Sequence, residues 1–87
     1  MTNSALRKAT CSDVASVLHE TRVKKGMSMT DLAVDAGLSR AMISFVEREI
    51  RNPTLETLLR MSEVLELPFA EVIELAESRA RRRLAAK

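Results

Sequence analysis

Arg40, Ala41, Ser44, Phe45 and Arg48 fall toward one side of a helical wheel, and Ile43, Val46, Glu47 and Ile50 fall toward the other. The second set belongs inside a fold. The first is left facing outward, and its chemistry is hydrogen bonding, not bond making. An arginine guanidinium presents a fixed fork of donors that fits guanine O6 and N7 or the oxygens of a phosphate. Serine bonds to several bases, alanine fits against a thymine methyl, and phenylalanine offers apolar contact. Arg51 and Asn52 follow in the chain and add two more polar groups. Groups for covalent or metal chemistry are sparse. His19 is the only histidine and Cys11 the only cysteine, so neither an internal disulfide nor a zinc-ligand set is expected. No glycine-rich phosphate loop or catalytic carboxylate pair is present. His19 is assigned a surface or boundary position, Cys11 is read as a free thiol, and the methionines as core filler and surface scatter. The expectation is no enzyme, no cofactor and no metal.

Capping and spacing show which elements must position that outward face. A first helix is predicted over residues 12–25, capped by Thr10 or Ser12 and stopped at Gly26. Val14, Val17, Leu18 and Thr21 form its inner stripe, and Lys24 and Lys25 suit its C-terminal dipole end. Ser28 with Asp31 is a capping-box pattern opening a second helix, buried through Leu32, Ala33 and Ala36. Gly37 supplies a left-handed residue for a tight turn. Ser39 then caps a third helix, residues 40–49, which carries the outward set. Thr54 caps a fourth, with Leu55, Leu58, Leu59, Ser62 and Leu65 as its apolar repeat. Pro68 suits the first turn of a fifth, whose stripe is Phe69, Val72, Ile73 and Ala76. Two short helices meeting at Gly37 make a helix-turn-helix, and the second helix of such a unit can enter the DNA major groove.

With 87 residues, scarce Gly and Pro, and almost no aromatic side chains, the chain reads as one small all-α domain. The expected organisation is a flexible N-terminal arm (1–11), a helix-turn-helix domain (12–77) and a basic tail or helix extension (78–87). A core this small is marginal alone, and association into a homodimer is a common remedy. The net charge of +2 hides segregation: residues 54–77 carry six Glu against Arg60, whereas Arg79, Arg81, Arg82, Arg83 and Lys87 crowd the last ten positions. Both ends and the third helix could face a polyanion. The basic tail has three readings: a solvated helix end, a non-specific DNA clamp, or a cross-dimer ion pair with the Glu-rich stretch. No secretory signal or membrane-spanning segment is seen, which points to a cytoplasmic protein.

Several segments in combination closely resemble the lambda-repressor-like helix-turn-helix family of Cro/C1 or XRE type. They are Lys25-Gly26-Met27-Ser28, Leu32-Ala33, Ala36-Gly37-Leu38-Ser39-Arg40, Ile43-Ser44, Val46-Glu47-Arg48 and Arg51-Asn52-Pro53-Thr54-Leu55-Glu56-Thr57-Leu58. The likeness runs over residues 18–73. It implies a compact five-helix fold that binds double-stranded operator DNA as a symmetric homodimer. It implies base-reading positions at Arg40, Ala41, Ser44 and Phe45, and phosphate-contacting positions at Ser28, Met29, Ser39, Arg48, Arg51 and Asn52. It also implies a structural ion pair between Arg22 and Glu47. The sequence departs from the family pattern at Met29, where Gln is common, and at Glu49 and Glu66, where Gly is common. Phe45 is unusually large and apolar for an outward position. The dimer surface is assigned to Phe69, Val72, Ile73 and Ala76. The expected function is transcriptional repression. The alternatives are an antitoxin or a restriction–modification controller acting on its own operon, with a toxin or RNA polymerase as a further partner. An adaptor using Phe45 and Met29 as a protein-binding patch is the reading from another class.

Overall fold

Ser28, Ser39 and Thr54 each accept a hydrogen bond from the backbone N–H three residues on, and each opens a helix. Ser28 and Asp31 do so reciprocally, at 3.0 Å in both directions. The backbone N–H of Ser28 holds the Asp31 carboxyl below its ordinary range. In the computed structural model, which describes residues 4–86, the order is α1 Ser4–Lys24, α2 Met29–Ala36, α3 Arg40–Glu47, α4 Leu55–Leu65 and α5 Phe69–Ala85. The fold is all-α, with five helices and no strand among the described residues.

The core is built from Leu18 of α1, Leu32 of α2, Ile43 of α3, Met61 and Leu65 of α4 and Val72 of α5, all fully buried. The long helices α1 and α5 lie against each other, and α2 packs on α3 and α4. α3 is thereby fixed by its inner residues Ile43 and Val46, and its other side is left for function.

Both termini depart from the expected organisation. Helix α1 begins at Ser4, so Thr10 and Ser12 lie inside it and cap nothing. The expected arm is helical from Ser4 onward, and residues 1–3 lie outside the described residues. Residues 5–9 contain no breaker and are mostly good helix formers. The end of α5 also secures them. Arg83 donates to the Ala9 carbonyl at 3.3 Å and to the Asp13 carboxylate at 2.7 Å. α5 runs on to Ala85, so the helix extension is what residues 78–85 form; Lys87 lies outside the described residues. Arg79 pairs with Glu20 at 3.0 Å. Two arginines of the basic tail are therefore paired with α1 acids of the same chain.

Three apolar positions turn outward against expectation. Leu55 and Leu59 are 61% and 44% exposed, because the inward line of α4 runs through Thr57, Met61 and Leu65 instead. Ile50 is 50% exposed because α3 ends at Glu47 and Glu49, at φ 57°, swings the chain away. Glu66 is left-handed as well, at φ 57°. Each costs about 1 kcal/mol relative to glycine.

Gly37 closes α2 at φ 69°, and its N–H bonds back to Ala33 and Val34. A Cβ there would stand 3.1 Å from Arg60 Nη1, the atom that donates to the Ala36 carbonyl at 3.2 Å. Gly26 has a similar φ of 70° but nothing within 4 Å of its Cβ position. Gly26→Ala should therefore cost about 1 kcal/mol of strain, and Gly37→Ala more, because it also displaces the α2 cap. Denaturant melts of both variants measure the difference; equal losses would show that Arg60 moves aside freely.

Candidate nucleic-acid interface

The orientation of α3 is set at its C-terminal end by a buried charge cluster. Glu47 accepts from Arg22 Nε at 2.7 Å and Nη2 at 2.9 Å, a two-pronged pair. Arg22 Nη1 also donates to the Met27 carbonyl at 2.7 Å. His19 Nδ1 lies 2.7 Å from the second Glu47 contact oxygen, Oε1; a carboxylate only accepts, so Nδ1 carries the proton. The Glu47 side chain keeps 2% of its exposure and that of Arg22 9%. One side chain of α1 thus ties the α1–α2 turn to the last residue of α3. Burial is the strongest single influence on the Glu47 carboxyl and pushes its pKa up. The hydrogen bonds and charges of Arg22 and His19 together outweigh it and leave the carboxyl below its ordinary value. Arg22 is raised in turn, chiefly by its hydrogen bond to Glu47.

With α3 fixed in this way, Arg40 and Ala41 stand exposed in its first turn, Ser44 and Phe45 are half-buried, and Arg48 is exposed just past its end. Arg51 and Asn52 are exposed in the following loop. The charges on this face are unneutralised. Among the described residues Arg22, Arg60, Arg79, Arg81 and Arg83 all pair with acids. Arg40, Arg48 and Arg51 do not; Arg51 instead lies over the Phe45 ring, 4.6 Å from its centroid. Glu49, the anion closest to this path in sequence, accepts from Ser12 Oγ at 2.6 Å and is drawn toward α1. Taken together, two helices joined through a left-handed glycine leave a cationic outer face on the second, which is a helix-turn-helix. A helix-turn-helix family model matches residues 18–72.

The chain belongs to the XRE-type helix-turn-helix family. It is 32% identical over 65 residues to the HTH-type transcriptional regulator SutR of Escherichia coli, covering 75% of this chain and 36% of that protein. It is 31% identical over 62 residues to the HTH-type transcriptional regulator SlrR of Bacillus subtilis, covering 70% and 41%. The chain thus spans well under half the length of these curated relatives. Among solved structures it is similar to the restriction–modification controller protein C.Esp1396I, captured as a tetramer with its natural 35 base-pair operator. That likeness has a TM-score of 0.73 and 32% identity, over 82% of this chain and 93% of the controller. The helix-turn-helix of this family member is α2–turn–α3, as its sequence indicates.

Several positions assigned from sequence stand differently in the fold. Val72 and Ala76 are fully buried in the chain's own core, so they are not available as a dimer surface. Phe69 is half-buried against that core, and Ile73 remains 37% exposed. Met29 is half-buried against the core as well, and its thioether has no donor to offer a phosphate. The Ser28 and Ser39 hydroxyls accept cap bonds from Asp31 and Met42, which leaves each O–H free to donate. Sequence reasoning missed His19 and Arg60. His19 stands three residues before Arg22, on the same helix face, so its spacing carried a usable signal. Nothing local marks Arg60, whose partner carbonyl is 24 positions away. No helix among the described residues is long and apolar enough to cross a membrane.

Proposed function

We propose that this helix-turn-helix protein binds an inverted-repeat operator as a homodimer and represses transcription. The α3 helices of the two copies would occupy major grooves about 34 Å apart, one turn of DNA. The observation that carries this reading is the contrast across α3: one face is locked into the core, and the other presents Arg40 and Arg48 with no acidic partner. Arg40, Ala41 and Ser44 read base edges, with Phe45 in the same patch. Arg48, Arg51, Asn52 and the hydroxyls of Ser28 and Ser39 contact phosphates and set register, while Met29 contributes only its backbone N–H at the start of α2.

The dimer surface moves outward from its sequence assignment, to Leu59, Phe69 and Ile73. Leu59 and Phe69 line one shallow groove, and Phe69 and Ile73 line the next, so the three form one apolar strip across the α4–α5 corner. Similarity to an operator-bound controller over nearly that protein's whole length favours the controller form of this reading. The adaptor reading is weakened because Met29 is half-buried against the core and Arg51 covers one face of Phe45.

Selection from a random duplex library, followed by affinity against salt, tests the proposal. The expected result is an inverted repeat with half-sites one turn apart, preferred over random DNA by roughly a thousandfold or more. Weak binding that vanishes with salt and yields no motif would overturn it.

A further inference from the structure

Phe45 is an apolar ring at a position where a DNA-reading surface ordinarily wants a polar or small group, and it is not used as core. Its one distinctive contact is with a cation. Arg51, six residues on and beyond the end of α3, brings its guanidinium carbon to 4.6 Å from the ring centroid. That is within cation–π range. Among the described residues Arg51 has no acidic partner to orient it, and it lies in an exposed loop, where a long side chain would otherwise sample many rotamers. The loop leaves α3 through the left-handed Glu49, whose carboxylate is held by Ser12, so the backbone that delivers Arg51 to the ring is anchored from α1. A guanidinium laid flat on a ring uses only its face. Its N–H donors lie in the plane and stay available.

We infer that Phe45 is a positioning residue for Arg51: its ring holds the guanidinium beside the outer face of α3, ready to bond a DNA phosphate through its in-plane donors. The inference rests on the DNA-binding reading above. It changes the role of Phe45 from reading a base to fixing the register of the cation next to it. A thymine methyl approaching that face of the ring would have to displace Arg51.

The test combines two measurements on the full chain. In the free protein, ring-current shifts of the Arg51 side-chain methylene protons should appear upfield, persist in Phe45→Tyr and vanish in Phe45→Leu. Their absence from the unmodified chain overturns the inference without touching the DNA reading. On a random-sequence duplex, Phe45→Leu should weaken binding about two- to fivefold and lower the salt slope by up to about one unit, although it removes no charge. Phe45→Tyr should restore both, and Phe45→Leu added to Arg51→Ala should change nothing further. A loss from Phe45→Leu that leaves the slope intact and adds to Arg51→Ala would overturn the inference in favour of a direct base contact. Clear ring-current shifts in a chain that binds no duplex even at low salt would sink the DNA reading, and the phosphate role with it, while the stack itself stands.

Discussion

Glu47→Ala is expected to lower the free energy of unfolding by about 3–5 kcal/mol, because it strands the charge of Arg22 in a site from which water is largely excluded. In the intact protein that guanidinium makes two bonds to the carboxylate and one to the Met27 carbonyl, with 9% of the Arg22 side chain exposed. The substitution removes both bonds to the carboxylate. For a domain of this size the melting temperature should fall by more than about 10 °C. The pair also sets the direction of acid unfolding. The carboxyl of Glu47 titrates lower when folded than when unfolded. Its stabilising contribution is therefore complete above the ordinary carboxylate range and is lost as pH falls through the lowered folded value. Stability measured across that acidic window should decline in the natural chain and decline less in Glu47→Gln. Unchanged melting in Glu47→Ala, or identical acid slopes, would show that the cluster does not hold α3 in place.

Arg40→Ala is expected to weaken binding to the selected operator by about 1–3 kcal/mol and to relax preference at one base position in each half-site. Arg40 is the first residue of α3, exposed, and without an acidic partner among the described residues. Stability should be unaffected for the same reason, which separates this loss from the one at Glu47. Arg48→Ala is the contrast. It should weaken binding to all sequences alike and reduce the salt slope by about one unit, as a phosphate contact does. Competition binding on operator variants measures both. Equal loss on every sequence for Arg40→Ala would remove it from the base-reading set.

The outer face of α3 was legible in the sequence because it depends on short-range rules. Ser39 fixes where the helix starts, and the helical period then assigns Arg40, Ala41, Ser44 and Phe45 to one side. The capping box at Ser28, the left-handed Gly37 and the Thr54 cap are local in the same sense, since each closes hydrogen bonds within a few residues. The Arg22–Glu47 pair was accessible only through family resemblance, because its partners are 25 positions apart.

What failed did so where a second element decides. α1 starts earlier than apolar periodicity indicates, because residues 4–11 have little of it; Arg83 of α5, 74 positions from Ala9, secures that segment. Leu55 and Leu59 looked inward because period alone does not fix the phase of a stripe, and the packing of α4 chose the line through Met61. Val72 and Ala76 read from sequence as a spare apolar face, and the packing of α1 on α5 covers it. The sequence by itself thus determined the helices from α2 to α5, the turn between α2 and α3, and which residues of α3 share a side. Only the tertiary structure decided which apolar stripes are buried within the chain, which arginines are already neutralised, and that Phe45 lies under Arg51. Caps and turns are satisfied within one turn of chain, whereas burial and charge pairing depend on surfaces that meet only after the helices have packed.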